Sequence, residues 1–191
     1  MSETIRILER MSRALAMVRE RARRVVSLLA ERIPYVMVGG QAVAAWVASV
    51  DESAVRNTPN VDILIRRADL GAALAALNNE AVGIHQVDQG AQSFQGPGKL
   101  REAIKIVFGR EKVWPDDLLA NPDVSNSHAI GAFRVVSLDG LVRMKLVAFR
   151  TIDRVHLRDM LDVGLIDATW HPRLPPELAA RLQHLIDTPD G

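Results

Sequence analysis

Apolar side chains recur every third or fourth residue in the first part of the chain, which predicts an amphipathic helix from about Ile5 to Leu29. Pro34 ends this pattern, because proline lacks an amide donor and disfavours helix in the residue before it. The arginines of the segment lie mostly off the apolar stripe. We interpret the helix as packed on its own domain with a solvated basic side; a dimer seam and an RNA-facing surface are the alternatives. The apolar positions are Leu8, Met11, Leu15, Val18, Ala22, Val25 and Leu29.

Beyond Pro34, short apolar runs alternate with helical patterns. Ser137 has the side chain and the position of a helix N-cap, Gly96-Pro97-Gly98 reads as a turn, and residues 114–126 read as an irregular surface excursion. This order predicts an α/β or α+β core with a helical C-terminal cap. We expect one compact unit made of the helix at 1–33, a core at 34–136 and the cap at 137–191. The predicted strands are 35–38, 61–65, 82–87, 103–108 and 133–136, and the later helices are 41–50, 68–77, 137–149, 153–166 and 176–186.

The composition is that of an ordinary globular protein of one domain. Of 191 residues, 48% are hydrophobic and 25% charged, which excludes disorder as the main state. The absence of cysteine excludes a disulfide scaffold, a cysteine-ligated metal and a thiol nucleophile. A net charge of +1 gives no overall field toward nucleic acid, and only 4% aromatic residues argue against a reader that stacks bases. No apolar run has the length of a membrane span, so we expect a cytoplasmic protein without membrane contact.

The residues with the clearest chemical meaning begin at Gly39-Gly40, between a predicted strand and a predicted helix. Backbone amides at such a helix start can face an anion, although many strand–helix turns need glycine only for packing. Further along lie Arg56, Thr58, Asn60 and Asp62, leading into the next strand. In the C-terminal part the informative segments are Met144-Lys145-Leu146-Val147-Ala148-Phe149-Arg150, Asp153, His156 and Asp159.

Together these segments resemble the nucleotidyltransferase superfamily whose sheet is shared with DNA polymerase β, and in particular its small bacterial branches such as the AbiEii-type toxins of toxin–antitoxin pairs. The resemblance covers residues 35–166 and implies a mixed sheet flanked by helices. It also implies magnesium-dependent transfer of a nucleotidyl group from a nucleoside triphosphate to a hydroxyl group of RNA, protein or a small molecule. The residues it implies for nucleotide binding are Gly39, Gly40, Arg56, Thr58, Lys145 and Asp153.

The three positions that correspond to the family's metal-binding carboxylates are Asn60, Asp62 and, on a later strand, Lys105. Side chains at i and i+2 of a strand point to one side, where two carboxylates can share Mg²⁺. Because only Asp62 is acidic here, we expect an eroded catalytic centre with weak magnesium binding through that residue. Our hypothesis is that Lys105 pairs with Asp62; alternatively Lys105 points to solvent, and Asp62 pairs with Arg56.

The C-terminal residues also have two interpretations. Lys145 either reaches nucleotide phosphates, as the resemblance implies, or extends its ammonium to water from an amphipathic helix. Arg150, Asp153 and His156 share one helical side, which suits an ion-pair network or the rim of a nucleotide pocket. Asp153 and Asp159, six residues apart, do not form one ligand pair.

Three functions follow from these interpretations. The chain is an impaired nucleotidyltransferase, an inactive nucleotide-binding or protein-interaction module of the same fold, or an interaction protein that uses its N-terminal helix. The expected partners are a nucleoside triphosphate, a protein, and a second copy bound through that helix.

Overall fold

Strands form the centre of the molecule in the computed structural model, which describes residues 3–58, 60–78, 83–88, 91–95, 104–131 and 133–189. Within those residues seven strands make one sheet: β1 (Val36–Val38), β2 (Val61–Ile65), β3 (Gly83–Asp88), β4 (Ala91–Gln95), β5 (Ile104–Phe108), β6 (Ser127–Ile130) and β7 (Phe133–Val136). Their order across the sheet is β3-β4-β5-β2-β1-β7-β6. The sheet is mixed, because β2 runs parallel to β5 but antiparallel to β1, and β1 runs parallel to β7.

Helices cover both sides of this sheet. They are α1 (Glu3–Ala30), α2 (Gly39–Ala48), α3 (Leu70–Asn78), α4 (Leu138–Ala148), α5 (Thr151–Asp162) and α6 (Pro176–Asp187). The Ser137 side chain accepts a hydrogen bond from the Gly140 amide, which caps α4 as the sequence predicts. None of the described helices is long and apolar enough to cross a membrane.

The two sides of the sheet belong to two hydrophobic clusters, because successive strand side chains point to opposite sides. Leu64 of β2 packs in the cluster built with α2, α4, α5 and α6. Its neighbours Ile63 and Ile65 pack in the other cluster, with the last turns of α1 and with α3. Val38 and Val107 lie on the Leu64 side, so the second residue of β2, Asp62, and the second residue of β5, Lys105, point to that side as well.

Most predicted elements correspond to observed ones, and the differences have local causes. The helix predicted at 153–166 begins at Thr151, where Arg150 and Asp153 form the cap, and ends at Asp162, just before the positive φ of Gly164. The helix predicted at 41–50 begins at Gly39. The strands β4 and β6 were not predicted, since their sequences AQSFQ and SHAI carry little apolar alternation.

Some predictions lie outside the described part of the chain. These are the turn at Gly96-Pro97-Gly98, the first residue of each of the strands predicted at 82–87 and 103–108, and the side chains of Leu8, Met11, Leu15 and Val18 in the apolar stripe of α1. The later stripe residues Ala22, Val25 and Leu29 are buried, which confirms that the C-terminal half of α1 packs on its own domain.

Candidate functional site

The candidate site is a cavity of about 600 Å³ on the Leu64 side of the sheet, where β1 ends and β2 and β5 begin. Asp62 lies opposite Val38 of antiparallel β1 and opposite Lys105 of parallel β5. Helices α4 and α5 supply the facing wall. The structure brings together eight of the nine residues proposed from sequence: Gly39, Gly40, Thr58, Asn60, Asp62, Lys105, Lys145 and Asp153 line the cavity.

The glycine pair makes room for this arrangement. Gly39 has a positive φ of 67°, and a Cβ atom on it would lie 1.9 Å from Oδ2 of Asp62. A Cβ atom on Gly40 would lie 2.5 Å from the hydroxyl oxygen of Thr58. The backbone at the start of α2 therefore approaches both side chains more closely than any other residue type permits. The start of α2 lines the cavity at Val38, Gly39 and Gly40 and has no side-chain cap, and uncapped helix starts are places where proteins receive anions.

A buried ion pair joins α4 to α5 at the wall of the cavity. Nζ of Lys145 lies 2.8 Å from Oδ1 of Asp153, and both side chains are buried. Nε of Arg150 lies 2.8 Å from Oδ2 of the same carboxylate. Burial raises the pKa of Asp153, but Lys145 and Arg150 outweigh burial, and the pKa is lowered. Lys145 is thus an interior cation, and the interpretation that it extends to water is wrong.

Asp62 is surrounded by cations without bonding to one. Burial raises the pKa of Asp62, and the charges of Lys145, Lys105 and Arg150 partly offset that rise. Among the described residues no ion pair or hydrogen bond reaches its carboxylate, so the direct pairs with Lys105 and with Arg56 expected from sequence are not formed. Lys105 instead stands beside Asp62 on the neighbouring strand and faces the cavity.

Arg56 has a different place from the one implied by sequence. It does not line the cavity; its guanidinium donates to both oxygens of Asp159, with distances of 3.0 and 2.9 Å. The hydrogen bond and charge of Asp159 raise the pKa of Arg56. This two-point contact fastens the segment before β2 to α5, so Arg56 is a positioning residue for Thr58, Asn60 and Asp62.

The excursion between β5 and β6 closes one side of the cavity, a role that the sequence did not reveal. Asn121 donates to the carbonyl of Phe108 at 3.0 Å, and the amide of Trp114 donates to Asp117 at 2.9 Å. Trp114 and Leu119 of this segment line the cavity. Half of the surface of Trp114 stays exposed. The sequence feature that could have indicated this role is a tryptophan in a segment predicted to be an irregular surface excursion, since a large apolar ring exposed to water is commonly part of a binding surface.

The residues present do not fit a divalent metal site. Mg²⁺ in proteins is held by oxygen ligands, chiefly carboxylates and phosphates. Here Asp62 is joined by the exposed amide side chain of Asn60 and the cation of Lys105. The other carboxylates that line the cavity already have partners: Asp153 binds Lys145 and Arg150, Asp139 binds Arg143, and Asp117 accepts a hydrogen bond from the Trp114 amide. No group of three or more histidine or acidic side chains that could hold a metal occurs in the described ranges.

His156 lies beside this network as a neutral group. Its imidazole is buried, and its Nδ1 atom has no hydrogen-bond partner among the described residues. Burial and the charge of Lys145 lower the pKa of His156 to about 4. Of the Arg150–Asp153–His156 cluster expected from sequence, the first two members therefore form an ion pair, and the third contributes shape without charge at neutral pH.

The lowered pKa of His156 predicts that the protein loses stability in mild acid. Between about pH 7 and about pH 5 the unfolded chain takes up a proton that the folded chain refuses, so the free energy of unfolding should fall by about 2 kcal/mol through this residue. Urea unfolding at the two pH values measures the difference. His156→Gln should lose most of this dependence, and the exposed His184→Gln should keep it; an unaltered dependence in His156→Gln contradicts the assignment.

Comparison with known proteins was made on sequence and on structure. No family model and no curated protein matches the sequence. The solution structure of the antibiotic-resistance factor ANT(2'')-Ia matches at a TM-score of 0.54 and 12% identity, over 86% of this chain and 89% of its own. Two Helicobacter pylori structures match the full length of this chain: a candidate nucleotidyltransferase, over 80% of its own length at 15% identity, and JHP933, over 77% at 17% identity. Their TM-scores of 0.46 and 0.44 are too low to show a shared fold. The chain has the mixed α/β fold of the nucleotidyltransferases.

Proposed function

We propose that this chain binds a nucleoside triphosphate in the Asp62 cavity and is deficient in metal-dependent nucleotidyl transfer. The observation that carries the proposal is the charge balance around Asp62. Lys145, Lys105 and Arg150 are the cations that act on Asp62, and Asp153 is the acid that acts on it, beside the glycine-rich start of α2. Arg143, Asp117 and Asp139 also line the cavity, so its four cations and four carboxylates balance as a whole. The positive charge is concentrated around Asp62, and such a local excess attracts an anion and repels a dication.

Lys105 is the cation best suited to contact the phosphates. Lys145 and Arg150 are already engaged with Asp153, whereas Lys105 faces the cavity with no ion pair to a described residue. Its ammonium occupies the side of the sheet on which the resemblance implies a metal-binding carboxylate. An ammonium there neutralises phosphate charge without a metal ion, and the amides at Gly39 and Gly40 can donate hydrogen bonds to the same phosphate.

Nucleotidyl transfer needs more than phosphate binding. In this reaction class, metal ions held by several carboxylates align the attacking hydroxyl and neutralise the charge that develops on the phosphate oxygens. Asn60 is neutral and Lys105 is a cation, so this chain retains Asp62 as the one acid among the three corresponding positions. The donor set therefore favours binding over turnover.

The apolar mouth of the cavity supports a nucleoside rather than a bare phosphate. Trp114 and Leu119 from the excursion, and Met144 and Val147 from α4, line the cavity along with the cations. A ligand with an anionic chain and a flat, weakly polar ring matches both parts. We assign Trp114 to the base, because stacking on an aromatic ring tolerates any base and is worth about 1–3 kcal/mol.

Calorimetric titration with ATP, GTP, CTP and UTP, each with and without Mg²⁺, tests the proposal. We expect binding that needs no metal and that weakens about tenfold in Lys105→Ala, the loss of roughly one charge-assisted contact. Lys112→Ala, which removes an exposed lysine that does not line the cavity, is the matched control and should leave the affinity unchanged.

Two results would contradict the proposal. If no nucleotide binds under either condition, the cavity is not a nucleotide site. If binding requires Mg²⁺ and disappears in Asp62→Ala, the chain retains a working metal centre, and transfer to an acceptor hydroxyl becomes the better reading.

The variant Trp114→Ala tests the contact to the base separately from the contacts to the phosphates. We expect it to weaken ATP binding about tenfold while leaving the affinity for inorganic tripolyphosphate unchanged, because only the nucleotide has a base to stack. Trp114→Phe keeps an aromatic ring and should retain most of the affinity. Equal losses for both ligands in Trp114→Ala would mean that the ring supports the excursion rather than the base.

Restoring acids should restore a metal site if the three positions are assigned correctly. The double variant Asn60→Asp with Lys105→Asp places one carboxylate two residues before Asp62, just ahead of β2, and a second one opposite Asp62 on β5. We expect Mg²⁺ to increase the affinity of this variant for a nucleoside triphosphate at least tenfold, while it has little effect on the natural chain. Absence of a magnesium-dependent gain in a folded double variant would count against these positions.

A further inference from the structure

A second concave surface lies at the opposite end of the sheet from Asp62. It is a groove of about 640 Å³ lined by residues 30–35, Arg66, Val124, Ser125 and Arg134. Because β1 and β2 are antiparallel, the residue before β1 and the residue after β2 lie at the same end, whereas Asp62 pairs with Val38 at the other end. The groove is therefore separate from the Asp62 cavity.

Three arginines from three different elements converge on this groove. Arg32 lies between α1 and β1, Arg66 follows β2, and Arg134 lies in β7. Their side chains are exposed, and none forms an ion pair with a described carboxylate; the Arg134 guanidinium reaches only the Ser127 hydroxyl, at 3.3 to 3.4 Å. Several other arginines do pair with acids: Arg56 with Asp159, Arg67 with Glu111, Arg110 with Asp123, and Arg143 with Asp139.

Three like charges held near one another repel, so an anion in the groove relieves an unfavourable interaction. Glu31 is the acidic lining residue, and it forms no ion pair with a described arginine. One carboxylate against three guanidinium groups leaves the groove with a net positive charge. Arginine also suits phosphate better than lysine does, because its planar fork can donate two parallel hydrogen bonds.

The positive charge continues along α1, which leads directly into the groove. Residues 3–30 contain seven arginines and three glutamates, whereas the complete chain carries a net charge of +1, so the rest of the protein is net acidic. The helix is roughly 40 Å long. The arginines of α1 whose side chains the structure describes are all exposed: Arg6, Arg10, Arg13, Arg23 and Arg24.

We propose that this groove, together with the exposed side of α1, binds the sugar–phosphate backbone of a nucleic acid. A polymer with evenly spaced phosphates matches a positive surface that extends along a helix better than a compact anion does. The groove offers no exposed aromatic side chain to a base, since its Tyr35 is buried, so the contacts position the chain without reading its sequence.

A nucleic acid fits this surface better than an acidic protein. Protein interfaces place a protruding aromatic or aliphatic anchor in a desolvated pocket. Of the apolar lining residues, Ile33, Tyr35 and Val124 are buried in the domain, and the exposed ones, Ala30 and Pro34, are too small to serve as such an anchor. The other exposed lining residues are charged or polar.

The test is fluorescence anisotropy with a labelled single-stranded RNA of mixed sequence and with its DNA counterpart, over a range of salt concentrations. The natural chain should bind both, with an affinity that falls steeply as salt rises. The double variant Arg32→Ala with Arg66→Ala should bind about tenfold more weakly at low salt, and the slope of log affinity against log salt should decrease by about 1.4, since each lost phosphate contact removes about 0.7.

A matched control removes two positive charges elsewhere. Lys112→Ala with Arg154→Ala takes away two exposed cations that do not line the groove, and it should retain the affinity and the slope of the natural chain. Thermal unfolding of both double variants establishes that each remains folded. Because this readout involves no nucleoside triphosphate, its outcome is independent of the function proposed for the Asp62 cavity.

The proposal is supported if the groove variant loses RNA and DNA binding and the control variant does not. A larger loss for RNA than for DNA would indicate an additional contact to the 2′-hydroxyl. The proposal is overturned if neither nucleic acid binds at low salt, or if the two double variants lose affinity equally. It is also overturned if poly-glutamate displaces the RNA at equal charge concentration, because the surface would then recognise acidic polypeptides.

Discussion

The wall of the cavity depends on one buried contact, the ion pair between Lys145 and Asp153 that joins α4 to α5. Removing one partner of such a pair leaves an uncompensated charge in the interior and costs about 3–5 kcal/mol. Arg150 binds the other oxygen of the same carboxylate, so a single acid keeps two cations close to Asp62. The same contact therefore shapes the cavity and fixes the position of two of its cations.

The two ends of the sheet present different chemistry. At one end the glycine start of α2 lets the backbone approach Asp62 and Thr58, and the cations lie within a cavity. At the other end, the arginines lie on an open surface that continues into α1. The strands that connect the two ends, β1 and β2, have three and five residues and are therefore about 10–17 Å long. A polymer held at the groove would therefore lie within about one strand length of the cavity while contacting none of the cavity's lining residues.

Strong local signals gave the fold and the position of the site. The apolar run at residues 61–65 coincides with β2, and β5 places Lys105 next to Asp62 in the strand register, although the ion pair expected between them is not formed. The polar strands β4 and β6 carry no such signal; β4 forms between β3 and β5, and β6 forms on the free edge of β7. Local pattern cannot reveal this, since strand pairing joins residues distant in the chain.

By itself the sequence determined the glycine pair, the lone acid among the three corresponding positions and the basic helix, because each follows from residue identity at fixed spacing. Only the tertiary structure decided the partners. Arg56 binds Asp159 and not Asp62, Lys145 is interior and bound to Asp153, and Trp114 closes the cavity. The reason is physical: a charged side chain pairs with whichever opposite charge folding brings within contact and removes from water, and that choice depends on distances in space that spacing along the chain does not fix.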